Sequence, residues 1–121
     1  MRIAVMGSGG LGGLFGGLLA SVGAQVVFVA RGAHLKAMQD AGLQILSELG
    51  DVVLDTVDAV EDLNGREPVD VVIFTVKGQD TKAAAKLIEP VVGPETAIIS
   101  FQNGVEWLDI LSDHFSPDNM I

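Results

Sequence analysis

Three short segments of the chain carry residues with a chemical use. In the first, Gly7-Ser8-Gly9-Gly10-Leu11-Gly12, glycines fill the three fixed places of G-x-G-x-x-G. Gly7 permits a tight turn, Gly9 leaves room for a diphosphate to approach the backbone, and Gly12 lets a following helix lie close on the preceding strand. The anion then rests on the free N–H groups at the helix start. The second segment is Ala30-Arg31-Gly32. It falls about 20 residues beyond the glycines, where an Asp or Glu ordinarily takes the ribose 2'-hydroxyl of NAD. No carboxylate occurs between Gly23 and Gln39, and Arg31 offers a fork-shaped cation instead. A guanidinium there suits a 2'-phosphate, so the expected cofactor is NADP(H). The third group is Lys77 and Gln79 with, further on, Asn103, polar residues that follow two apolar runs. His34 has no second histidine or carboxylate at ligand spacing, so it reads as a surface or cofactor-edge residue and no metal site is expected.

These residues need strands to carry them. Ile3 to Met6 is a short apolar run that opens directly into the glycines, and from Leu11 the apolar residues Leu11, Leu14, Phe15, Leu18, Leu19 and Val22 recur at helical spacing. Strand, turn and helix therefore follow without a break. Gln25 to Ala30 reads as a second strand with Arg31 at its end, and Ala33 to Ala41 as a helix stopped by Gly42. Leu43 to Ser47 and Val52 to Val57 read as a hairpin or meander, and the acidic stretch Asp58 to Pro68 as a solvated loop and helix end. Val69 to Val76 is apolar at nearly every position, as a strand buried on both faces must be. A helix capped by Asp80 is expected to run to Pro90, then a strand over Ala97 to Phe101 and a helix from Val105 towards Phe115, with Leu108, Leu111 and Phe115 on its apolar side. In an open parallel sheet the carboxyl ends of the strands line the ligand crevice. The glycine turn, Arg31, Lys77 and Asn103 all fall at such ends.

The fold class this implies is α/β, a Rossmann-type doubly wound, mainly parallel sheet, with residues 1–121 as one dinucleotide-binding domain. The absence of cysteine excludes disulfides and thiolate metal sites and fits a cytoplasmic protein. A net charge of −9 argues against nucleic acid or an anionic membrane as partner. The charge is uneven: the first acid is Asp40, so the sequence around the glycine turn carries none. Ile3 to Ala30 would also pass a hydropathy window for a membrane span or a signal segment. Its eight glycines argue against a single helix, because each costs about 1 kcal/mol of helix propensity relative to alanine.

Four segments together resemble ketopantoate reductase (2-dehydropantoate 2-reductase): Met1 to Gly12, Ala30-Arg31-Gly32 with His34-Leu35, Val76-Lys77-Gly78-Gln79-Asp80-Thr81, and Phe101-Gln102-Asn103-Gly104-Val105-Glu106. The resemblance covers almost the whole chain. It implies NADPH-dependent reduction of a small 2-keto acid, 2-dehydropantoate, to pantoate in pantothenate and coenzyme A synthesis. By position it assigns the turn Gly7, Ser8, Gly9, Gly10, Leu11 and Gly12 to the pyrophosphate and Arg31 to the 2'-phosphate. It also assigns Lys77 and Asn103 to the nicotinamide and substrate side, with Gln79 beside them. Family members carry a helical C-terminal domain with the general-acid lysine. This sequence stops at Ile121, after a segment that looks like the approach to another strand, and so reads as truncated. No residue here is a convincing acid, and the chain alone is expected to bind NADPH but to turn over negligibly. An NADP(H)-sensing domain without catalysis, or another NADP-dependent 2-keto acid dehydrogenase, remains the alternative. Exposed sheet edges leave a homo-oligomer open.

Overall fold

The computed structural model describes residues 1–7, 11–46, 48, 50–101 and 106–120. In chain order its elements are β1 (Arg2–Met6), α1 (Leu11–Ser21), β2 (Gln25–Val29), α2 (Gly32–Ala41), β3 (Leu43–Ile45), β4 (Val52–Leu54), β5 (Asp58–Val60), β6 (Val71–Phe74), α3 (Thr81–Ile88), β7 (Ala97–Ser100) and α4 (Glu106–Ser112). Five strands form a sheet in the order β5-β2-β1-β6-β7, every neighbouring pair parallel. The chain winds outward from β1 through β2 to β5, then restarts on the other side of β1 with β6 and β7. The order reverses between β1 and β6, the switch point at which doubly wound sheets open a crevice.

Strand periodicity divides the core into two layers. Ala4 and Met6 of β1 face one side with Val72 and Phe74 of β6, under Ala84, Ala85 and Ile88 of α3 and Leu111 of α4. Ile3 and Val5 face the other side with Phe28 and Ile73, under Met38 and Leu35 of α2 and Phe15 and Leu19 of α1. Both faces are covered, which is why these strands read as unbroken apolar runs. Buried polar groups are paired: Thr96 Oγ1 donates to Val69 O at 2.6 Å, and Asn119 Nδ2 donates to Thr96 O at 2.8 Å. Ser116 to Asn119 then turn the chain so that Met120 forms a parallel bridge with Ile98, as the strand-like approach at this end of the sequence anticipates.

The structure corrects the sequence reading at four places. The close face of α1 is made of Gly12, Gly13, Gly16 and Gly17, while Leu14 and Leu18 are half-buried and Leu11 and Val22 are exposed. A Cβ on Gly16 would lie 2.7 Å from Phe28 Cε1 and 2.8 Å from Val5 Cγ2. One on Gly17 would lie 2.8 Å from Val52 Cγ1 in the antiparallel β3–β4 hairpin. The glycines thus let the helix backbone approach the sheet on one side and the hairpin on the other, a packing use of a spacing that also occurs in membrane helices. No helix among the described residues is long and apolar enough to cross a membrane.

The acidic stretch after Val57 is not all solvated loop. Asp58–Val60 is β5, paired in parallel with β2, and Leu63 is fully buried. Arg66 holds Asp58 with both terminal guanidinium nitrogens, Nη1 and Nη2, at 2.5 and 2.8 Å, and so ties the loop back to β5. That side-chain hydrogen bond outweighs the opposing effect of burial and, with the carboxylate charge adding to it, raises the Arg66 pKa. Asp80 precedes α3 as expected but makes no side-chain cap, because its backbone is already helical at the end of a 3-10 turn over Gly78–Asp80. On α4, Leu111 is buried whereas Leu108 is exposed.

Candidate functional site

All five strands of the main sheet run the same way, so their carboxyl ends share one edge. Gly7 follows β1 there with φ of +93°, a conformation that L side chains rarely adopt. A Cβ on Gly7 would also lie 2.9 Å from Thr75 Oγ1 and the Thr75 carbonyl carbon. Gly12, in the first turn of α1, packs back on the same point: a Cβ there would fall inside van der Waals contact with Gly7 O and Thr75 Oγ1. Two of the three motif glycines therefore have the mechanical roles that the spacing implied. Ser8, Gly9 and Gly10 lie outside the described residues.

Thr75 is a neighbour of the candidate site that the sequence reading missed. Its hydroxyl donates to Gly7 O at 2.6 Å, and its backbone N–H donates to Met6 O at 2.9 Å. It fastens the end of β6 to the glycine turn across the switch point. A lone hydroxyl inside the apolar run Val71 to Val76 was the available signal.

Beside the turn is an open cavity of about 470 Å³. Met6, Gly7, Val29 and Ala30 form its floor, Arg31, His34 and Glu61 one wall, and Val76, Asp80 and α3 the other. Its size and largely apolar lining are those of a small-molecule site. Arg31 immediately precedes α2 and makes no side-chain cap there, so the guanidinium stands at the start of that helix. Among the described residues the Arg31 side chain has no ion-pair partner. The structure brings Gly7 and Arg31 to one cavity, but Lys77 and Gln79 are exposed and do not line it. They lie beyond the end of β6, where the Lys77 carbonyl accepts the Asp80 N–H at 2.8 Å. Asn103 lies outside the described residues, and Leu11 is exposed at the start of α1. Acids are absent from the sequence around the turn but not from the space around it, since Glu61 and Asp80 both reach the cavity wall.

A second cavity, of about 480 Å³, opens at the opposite, amino-terminal edge of the sheet. Its charged residues are already matched: Arg66 holds Asp58, and Arg2 holds Glu67 at 2.6 Å. Among the described residues Gly65, with φ of +80°, is its single lining glycine, and no group of three or more metal-ligating side chains occurs. Gly7 and Arg31 meet at the carboxyl edge instead.

The profile of the family described as Ketopantoate reductase PanE/ApbA matches residues 3–121. The chain is 36% identical over 105 residues to a 2-dehydropantoate 2-reductase of Pyrococcus horikoshii, covering 87% of this chain and 34% of that protein. It is 33% identical over 108 residues to one of Mesorhizobium japonicum, covering 88% of this chain and 33% of that protein. The crystal structure of a 2-dehydropantoate 2-reductase from Geobacter metallireducens superposes with a TM-score of 0.90 at 31% identity, over 99% of this chain and 40% of that one. The chain thus spans about a third of the length of these curated relatives. A match along almost every residue, on a sheet with the same arrangement, places the chain in the ketopantoate reductase PanE/ApbA family.

Proposed function

We propose that this chain is the NADP(H)-binding part of a reductase that converts 2-dehydropantoate to pantoate, in the cytoplasmic synthesis of pantothenate and coenzyme A. The observation that carries the reading is the meeting, in one cavity at the switch point, of Gly7 and an Arg31 that has no ion-pair partner among the described residues. The residues present fit a dinucleotide phosphate. Gly7 and Gly12 hold a turn that no side chain may enter, the first turn of α1 offers N–H donors, and Arg31 offers a planar pair of N–H groups for a 2'-phosphate.

When bound, the reduced nicotinamide supplies the hydride. The chain's own residues bind and orient. Thr75 keeps the turn closed, Arg31 holds the adenosine end, and Lys77, Gln79 and Asn103 are assigned to the nicotinamide side, with Asn103 also meeting the keto acid. A ketone oxygen gaining negative charge needs a proton donor, and we assign none of these residues that role.

Titration of NADPH and NADH against the chain and its Arg31→Ala variant tests the reading. Loss of a charge-assisted hydrogen bond should weaken NADPH by about 1.5 to 3 kcal/mol and leave NADH nearly unchanged. Equal losses for the two would remove the 2'-phosphate assignment.

A further inference from the structure

The carboxyl end of β5 brings a carboxylate to the pocket that holds Arg31. Ala30 N–H donates to Val60 O at 3.0 Å, so the ends of β2 and β5 run side by side, and the next residue on each strand is Arg31 and Glu61. Both side chains are exposed, both line the same cavity, and neither is ion-paired with another described residue. In a dinucleotide fold the carboxylate that accepts a hydrogen bond from the ribose 2'-hydroxyl stands at the end of the second strand, the place Arg31 takes here. Glu61 offers a carboxylate from the strand end beside it. A 2'-phosphate in place of that hydroxyl sets two anions against each other and needs the guanidinium to offset the repulsion.

We infer that Glu61 is a specificity-determining residue that moderates the preference of this site for NADPH and keeps NADH within its range. The inference rests on the reading of Arg31 as the 2'-phosphate ligand. Arg31 favours the phosphorylated ribose, Glu61 the free hydroxyl, and the cofactor choice is set by the balance of the two. Asp80 also carries negative charge into the cavity, from the α3 side, and His34 stands on the same wall as Arg31. The selectivity is assigned to Glu61 because β5 ends alongside β2.

The test is direct titration of NADPH and NADH against the chain, Glu61→Gln, Glu61→Ala and Arg31→Ala. Glu61→Gln keeps the shape and removes the charge at an exposed position, so folding should be retained, as a melting curve will check. NADPH should bind about three- to tenfold more tightly to Glu61→Gln, the worth of one like-charge contact at a protein surface, while NADH gains nothing. Glu61→Ala, which also removes the acceptor, should weaken NADH by about threefold or more. Tightening of both dinucleotides alike would reflect net charge only and overturn the inference, as would no change in either. If Arg31→Ala lowers NADPH affinity selectively while the Glu61 variants do not discriminate, only the role of Glu61 fails. If Arg31→Ala does not discriminate either, or if neither dinucleotide binds, the reading of the pocket fails with it.

Discussion

Thr75 shows how much a single hydroxyl can organise. Its Oγ1 donates to Gly7 O at 2.6 Å from the strand on the other side of the switch point, at the position against which Gly12 also packs. Thr75→Val keeps the volume and the β-branched shape but leaves the Gly7 carbonyl without that donor. A partly buried carbonyl deprived of its partner costs roughly 1–2 kcal/mol, so the melting midpoint should fall. Because the turn's proposed ligand is the diphosphate common to both cofactors, NADPH and NADH affinity should fall together. That outcome separates Thr75 from Arg31, whose loss should be felt by NADPH alone. Sequence spacing made Gly7, Gly12 and Arg31 legible because each has a fixed place relative to a strand end. Thr75, Glu61 and Asp80 were not legible as site residues, since they join the turn and Arg31 only through the sheet's strand order.

The helix α1 poses the same question one level up. Its leucines suggest an apolar stripe, yet the residues against the sheet are glycines. Helix propensity favours Gly16→Ala by about 1 kcal/mol. The added methyl, however, would stand 2.7 Å from the Phe28 ring and 2.8 Å from Val5 in a close-packed layer, and overpacking costs about 1–3 kcal/mol. The clash should win, and Gly16→Ala should lower stability in a denaturant titration. A more stable variant would mean that α1 stands further from the sheet. The strands β1, β2 and β6 could be read from sequence because burial on both faces leaves continuous apolar runs. Three-residue β5 could not: its Asp58 looks solvated until Arg66 is seen to hold it. Beyond Gly12, whose close contact the motif spacing implies, the face of α1 escaped for the converse reason, because hydrophobicity patterns weigh side chains and not contacts made by their absence.

For the molecule as a whole, the sheet has two mouths of almost equal size, and chemistry distinguishes them. At the amino edge Arg2 and Arg66 are paired with Glu67 and Asp58. At the carboxyl edge Gly7, the start of α2 and a guanidinium with no ion-pair partner among the described residues face one cavity. A chain with net charge −9 repels a polyanion at long range, so binding must be won locally where cationic and N–H groups converge. An amide chemical-shift map of the chain titrated with NADPH tests this most directly. Gly7, Arg31, Gly32 and Thr75 at the carboxyl edge should shift in a saturable manner, while Arg2, Gly65, Arg66 and Glu67 stay in place. Saturable shifts centred on the second group, with the first unmoved, would contradict the account.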